Sequence, residues 1–417
     1  MYNSGQEYIE TLSIENFLNI KEFYWDIKPF NVITGDMGSG KSLCIKLLYF
    51  FEEILVTSIL YAQGFSRKLF ENGNYSERLS RDFKDYFYLS DNNTDLKITY
   101  CFKCNGSNFT ISVTWDDNQK KLLWHCDYLN SNLNKWIGYF TSPETPGIIR
   151  NARNQILDDI MHDFEEKLPI SGIFVPASRA AMAVVGSNPP FKDRFLNDFL
   201  QYKDFLLSDS DISLCNEFAN ILKVKKIRIN LTDEGDVVLE HNDGRAVPSL
   251  YSSSGQQELV YLLMLLEKLP KIDFSFTKMT SYFIEEPSAH LFPKEQKEVI
   301  ECIADIFRKD KNICTRFFIT THSPYVLNVI NNMLKKGSII KRNNSRAQEI
   351  EKMFDFPHLF AEEVSASFIN IDGTKKDMLD PNEEMIFADS IADISYQINE
   401  DTIELDKLNN KLISEQG

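Results

Sequence analysis

A chain of 417 residues, 43% hydrophobic and 25% charged, has the composition of a globular protein with material for two or three domains. Its formal net charge of −16 works against tight non-specific binding to phosphate backbones, which needs clustered Lys and Arg, although a local basic strip can exist on an acidic protein. No secretory leader is expected at the N-terminus, and the longest apolar run, residues 43–62, holds Lys46, Glu52 and Glu53, too polar for a membrane span. The seven scattered cysteines read as reduced thiols, so a cytoplasmic location is expected.

Residues 8–34 alternate apolar and polar side chains, which predicts two or three strands of a half-exposed antiparallel edge sheet. The last of them, Phe30-Asn-Val-Ile-Thr34, leads into Gly35-Asp-Met-Gly-Ser-Gly-Lys41-Ser42. This fits the phosphate-loop pattern G-x-x-x-x-G-K-[S/T] at every fixed position, and residues 43–60 after it read as a helix. Gly35, Gly38 and Gly40 let the backbone turn so that the N–H groups of the loop, Asp36 and Ser39 included, face phosphate oxygens. The helix N-terminus adds to that field. Lys41 is expected to reach the β- and γ-phosphates and the Ser42 hydroxyl to sit on Mg²⁺. The expected ligand is a nucleoside triphosphate.

Residues 64–170 lose the helical period and predict a β-rich insert. Residues 95–104 and 108–115 read as strands joined by Asn105-Gly106, a strong hairpin signal, with residues 121–126 as a third strand and 154–167 as a helix. Cys101, Cys104, His125 and Cys126 have the spacing of a zinc site. On a strand, however, residues three apart face opposite sides, and buried thiols are the preferred reading. Residues 171–236 predict a strand followed by a helical lobe. The strand ends in Pro176-Ala-Ser-Arg179, where an arginine can face a ligand or simply be solvated. Phe195, Phe199, Phe205, Leu206, Leu214, Phe218 and Leu222 mark two or three helices, and short strands follow at 223–230 and 236–240.

Ser252-Ser-Ser-Gly-Gln-Gln-Glu258 opens a strongly apolar helix, where hydroxyls and N–H groups converge as in an anion-binding helix end. Ser281-Tyr-Phe-Ile-Glu285-Glu286 is a buried strand ending in two carboxylates. Triphosphate hydrolysis asks for such a pair, one to hold Mg²⁺ and one to polarise the attacking water. Arg316-Phe-Phe-Ile-Thr-Thr-His322 is a second apolar strand with a histidine at its carboxyl end, where ligands sit in open α/β sheets.

In this order, the four segments resemble the head of an ATP-binding-cassette-type ATPase. The resemblance is closest to the short RecF/SMC/OLD-like AAA family ATPases of bacteria and their mobile elements. It rests on Ser253-Ser-Gly-Gln-Gln-Glu258, Glu285-Glu-Pro-Ser-Ala-His-Leu-Phe-Pro293 and Thr321-His-Ser-Pro324, with Val175-Pro-Ala-Ser-Arg179 and the 364–373 strand and turn in support. It covers roughly residues 8–60, 171–183 and 237–373. The implied fold is α/β: a mixed central sheet with an antiparallel β edge, a β-rich insert and a helical lobe. Residues 1–63 would form the N-terminal half of the head and 237–375 the C-terminal half, with an acidic helical tail over 376–417.

The resemblance also implies a mechanism. Two copies sandwich two ATP molecules with Mg²⁺. Gly35, Asp36, Gly38, Ser39, Gly40, Lys41 and Ser42 of one copy hold the nucleotide, and Ser253, Ser254, Gly255 and Gln256 of the other contact it in trans. Ser42 and Glu285 hold the metal, Glu286 is the general base, His322 senses the γ-phosphate, and residues 288–291 sit between the sites. Gln63 is the candidate for a glutamine loop. Neither a long coiled coil nor a Toprim or HNH nuclease fits this sequence, so nuclease chemistry would belong to a partner, as in Septu-like or PARIS-like anti-phage modules. A RecF-like clamp binding DNA directly is the alternative, with residues 223–228 and 335–346 as its basic candidates. A transporter subunit needs a membrane partner and fits least. The tail, with Phe387, Ile391, Ile394, Ile398, Leu405, Leu408 and Leu412 at helical spacing, packs on its own domain or docks a partner.

Overall fold

The strand alternation of the first segment is realised as an antiparallel hairpin, β1 (Ile9–Phe17) and β2 (Ile20–Asp26), with Leu12, Ile14, Phe17, Phe23 and Trp25 turned inward. The computed structural model describes residues 9–62, 74–89, 95–104, 107–140, 145–164, 171–183, 192–208, 211–212, 214–230, 236–268, 279–309, 314–380 and 382–387. After the hairpin come β3 (Phe30–Gly35) and the long α1 (Lys41–Ala62), and then α2 (Asn74–Phe87).

The expected hairpin at 105–106 is present as β4 (Lys97–Cys104) paired with β5 (Ser107–Asp116), and β6 (Lys121–Cys126) follows. These strands do not stand apart as an insert. β4 pairs along the length of β1, giving one antiparallel sheet in the order β2-β1-β4-β5-β6. The boundary at residue 64 therefore cuts through a sheet, because the apolar faces of β1 and β4 are buried together. The same segment also holds more helix than expected: besides α2 there are α3 (Asp127–Tyr139) and α4 (Pro146–Asp163), the latter capped by Thr145 with Pro146 at its first position. Cys101 donates from its thiol to Thr110, and His125 pairs with Asp127. Among the described residues no group of three His, Cys, Asp or Glu could hold a metal.

The central sheet has the order β15-β14-β3-β13-β12-β7. β7 (Ser171–Val175), β12 (Met279–Glu285), β13 (Cys314–Thr320), β3 and β14 (Val364–Ile369) run parallel, and β15 (Lys375–Asp377) closes one edge antiparallel. Strands covered on both faces read as unbroken apolar runs, which is why Met279-Thr-Ser-Tyr-Phe-Ile-Glu285 is buried throughout. Alternate residues serve opposite faces. Phe283 and Phe318 stack at 4.6 Å on the side of α1 and the antiparallel sheet, while Tyr282 and Phe317 stack at 5.0 Å on the other.

That second face is covered by helices. The predicted lobe forms α5 (Arg194–Leu200), α6 (Lys203–Leu206) and α7 (Asn216–Leu222), with β8 (Asp211–Ile212) between the last two. β9 (Val224–Asn230), β10 (Asp236–His241) and β11 (Ala246–Pro248) join β8 in a small antiparallel sheet. Next come α8 (Ser254–Lys268), α9 (Pro293–Lys309), α10 (Pro324–Arg342) and α11 (Ala347–Met353). The tail departs from the helix expected after Lys376. Lys375–Asp377, Leu379–Asp380 and Met385–Ile386 instead form β15, β16 and β17. These strands precede the positions that carry the helical spacing: Met378 and Ile386 enter the core, and the Asn331 side chain of α10 both donates to and accepts from the Ile386 backbone. The apolar positions from Ile391 to Leu412 lie outside the described residues, as does Gln63.

Candidate nucleotide-binding site

Three strand ends of the parallel sheet converge on one edge, where an α/β sheet presents its ligands. The loop after β3 is shaped by its glycines at two points. A side chain at Gly35 (φ +150°) would place its Cβ 2.2 Å from the Ile369 carbonyl, and Gly40 takes φ +106° against Ile20. Three contacts from outside fix the loop. Asn19, in the turn between β1 and β2, donates to Gly38 O at 2.8 Å; the Asp36 N–H reaches Ile369 O; and the Ile371 N–H donates to the Asp36 carboxylate at 3.0 Å. The β1–β2 turn and the 369–373 segment thus brace the loop from both flanks.

Lys41 is buried and donates to Gly35 O at 3.0 Å and Asp36 O at 2.6 Å. Burial lowers its proton affinity, while the carboxylates of Glu286 and Asp36 oppose that shift. The Ser39 hydroxyl within the loop, and that of Thr34 just before it, are buried with no hydrogen-bond partner among the described residues. Unmet donors of this kind fit a site built for phosphate oxygens. Ser42 lies on the first turn of α1, and with Glu285 it offers the hard oxygen ligands that Mg²⁺ takes.

Glu285 ends β12 and is buried. One of its oxygens accepts from Ala177 N at 2.9 Å, and the other lies 3.5 Å from the Lys46 ammonium. Lys46 stands one turn along α1 from Ser42, on the same face, with its ammonium 4.9 Å over the Phe195 ring. A resident cation thus neighbours the expected metal carboxylate, a feature that no motif in the sequence signals.

Glu286 leaves the strand in a left-handed conformation, φ +44°, which a bulky residue adopts only when its surroundings hold it there. Its N–H donates to Thr320 O on β13. Its carboxylate accepts from His322 N at 3.2 Å and lies 3.3 Å from His322 Nε2. Burial pushes the carboxyl up to about 7, the His322 N–H and the Lys41 charge pull against that rise, and Glu285 adds to it. Burial, then Lys41, lowers the proton affinity of His322. Lys41, Glu285, Glu286 and His322 therefore form one group, as expected from the strand ends.

The signature residues stand elsewhere. Ser253, Ser254, Gly255 and Gln256 line a cleft of about 900 Å³ with Arg245 and His290, and no phosphate-loop residue reaches it. Ser253 and Gln256 bond to each other, and Gln256 Nε2 donates to Leu222 O at 2.8 Å. A Cβ on Gly255 would press on Leu291 and the His290 carbonyl, so the signature packs tightly on the 288–291 loop.

Arg179 neither faces a ligand nor meets solvent, against both readings of its sequence position. It is fully buried and bonds to carbonyls of Glu258, Pro176, Glu285 and Glu286. The reason is that the chain turns inward after β7, as a short helix over Arg179–Ala183 beneath α8.

Residues 150–327 match the family model of the AAA ATPase domain. A stretch of 128 residues is 27% identical to the endonuclease GajA of Bacillus cereus strain HuB5-5, covering 30% of this chain and 17% of that relative. This chain thus spans about a sixth of its length. Among solved structures, an SMC head domain from Thermotoga maritima aligns at 13% identity over 77% of this chain and 91% of its own, with a TM-score of 0.36. A Pyrococcus furiosus SMC head with an extended coiled coil, bound to the C-terminal domain of ScpA, aligns at 11% identity over 94% and 99%, with a TM-score of 0.42. With the phosphate-loop sequence after β3, the histidine after neighbouring β13, the paired acids at the end of β12 one strand further on, and the AAA ATPase domain match over residues 150–327, the chain has the parts of a P-loop ATPase on an α/β fold.

Proposed function

We propose that this chain hydrolyses ATP, closes head to tail on a second copy of itself around the nucleotide, and through that closure governs a separate effector. The effector is a nuclease in an anti-phage module of the Septu-like or PARIS-like kind. The carrying observation is the Glu286 carboxylate, held beside His322 and within the field of Lys41 at the strand end. In the closed site Lys41 leaves the loop carbonyls for the β- and γ-phosphates, and Ser39 and the loop N–H groups bind their oxygens. Ser42 and Glu285 would hold Mg²⁺, which would supply charge neutralisation on the phosphates when bound. Glu286 takes a proton from the water whose oxygen attacks the γ-phosphorus, ADP leaves with the bridging oxygen, and His322 contacts the γ-phosphate.

Two further features support the sandwich. The signature lines a cleft apart from the phosphate loop, so a nucleotide is met by both only across two copies. Exposed apolar side chains flank each half: Met37 (86% exposed) and Ile371 beside the loop, Tyr251 (77%) and Phe292 beside the signature. The likeness to an endonuclease supports the effector class. Direct DNA binding is the weaker reading, because Lys223, Lys226, Arg228, Lys336, Lys341, Arg342 and Arg346 in the two candidate strips each pair with a carboxylate.

Glu286→Gln tests the reading. Turnover should fall by roughly two to three orders of magnitude with ATP binding retained. Co-expressed with neighbouring gene products, the variant should retain one of them on ATP. Hydrolysis at the wild-type rate contradicts the chemistry, and a wild-type chain that performs the whole defence alone contradicts the effector.

A further inference from the structure

An arginine is almost never buried whole unless both its charge and its donors are met. Arg179 is fully buried, and its partners come from two places. On one side Nε donates to Glu258 O at 2.9 Å and lies 3.4 Å from the Glu258 carboxylate, both on the signature helix α8. On the other, one terminal nitrogen donates to Glu285 O at 2.8 Å and to Pro176 O at 3.2 Å, and the second donates to Glu286 O at 2.9 Å. One planar fork thus spans the signature helix and the two successive peptides that carry the acids. The Glu286 peptide is the one in the left-handed conformation. Its N–H is held by Thr320, and Arg179 and the Ala289 N–H hold its carbonyl.

We propose that Arg179 is a positioning residue for hydrolysis: it fixes the left-handed peptide of Glu286, and so the aim of its carboxylate, and ties that peptide to the signature helix through Glu258. The inference rests on the reading of Glu286 as general base. It gives the trans contact of the signature a short mechanical route to the base of the same chain, through a single rigid side chain. Lysine keeps the charge but not the fork, and its compact ammonium does not meet carbonyls on two sides in one plane.

The test compares Arg179→Lys and Glu258→Gln in the full chain, measuring kcat, KM and the affinity for a fluorescent ATP analogue. Glu258→Gln keeps the shape of the helix residue and the backbone acceptor, and it decides the matter if Arg179→Lys does not fold. Both variants should lower kcat, Arg179→Lys by on the order of 10- to 100-fold, as misaimed catalytic groups do. Nucleotide affinity should stay within about twofold, since the phosphate loop is not touched. Unchanged kcat in both variants, or loss of nucleotide affinity equal to the loss of kcat, overturns the inference. Glu286→Gln run in parallel separates the layers. If it is inactive while the other two are silent, only the role of Arg179 falls; if it turns over like wild type, the base assignment falls and the inference with it.

Discussion

Burial carries the proton affinity of Glu286 to about 7, inside the working range of a cell. A general base must be ionised, so protonation on the acid side removes activity. kcat/KM, which reports the free enzyme, should fall about tenfold per pH unit below 7 and level off above it. A flat profile between pH 6 and 8.5 would contradict the assignment. At this scale, Gly35 to Ser42, Glu285, Glu286 and His322 stand out in the sequence as candidates because each lies at or just after the end of an apolar strand. Asn19, Lys46 and Arg179 were not, because their partners lie on other segments: the Gly38 carbonyl, Glu285, and the Glu258–Glu286 pair. The Pro-Ala-Ser-Arg stretch stands out in the sequence, but no spacing rule tells an arginine that turns inward from one that faces a ligand.

A buried ion cluster joins the elements. Arg316 on β13 donates to Glu10 of β1, to Glu52 of α1 at 2.7 Å and to Ser281 of β12 at 2.7 Å, and Tyr100 of β4 donates to Glu10 at 3.0 Å. It is a buried polar link between the antiparallel sheet, α1 and the central sheet. Burial raises the proton affinity of both carboxylates, and Arg316 opposes that rise. Removing the cation while keeping bulk, Arg316→Met, leaves two buried acids uncompensated and should cost about 3–5 kcal/mol of stability. Chemical denaturation measures this, and a loss below about 1 kcal/mol would show that the cluster is not what joins the sheets. The parallel strands were readable as apolar runs and the β4–β5 hairpin from Asn-Gly. α2 is hard to read from sequence although Leu79, Phe83 and Phe87 recur every four residues and are buried, since the charges between them mask the stripe. The pairing of β4 with β1 was also out of reach, because register between distant strands is set by the faces that they bury together.

On the scale of the molecule, the proposed sandwich takes two separate regions of the chain as halves of one site. The phosphate loop with its acids and histidine lies at the sheet edge, and the signature lines a separate cleft. Both are fringed by exposed apolar side chains on a surface of net charge −16. In that proposal a second copy, related by a two-fold axis, would bring each half to its complement twice over, as an isologous pair does. No helix among the described residues is long and apolar enough to cross a membrane. The order of the motifs suggests the two-half organisation, while the continuity of residues 97–126 with the first hairpin has no signal in the sequence. The most direct test is the solution mass of Glu286→Gln with and without ATP and Mg²⁺. The account predicts a mass twice that of one chain with nucleotide present, and a return to one chain when Ser253→Arg is added. A variant that binds ATP yet keeps the mass of a single chain would contradict it.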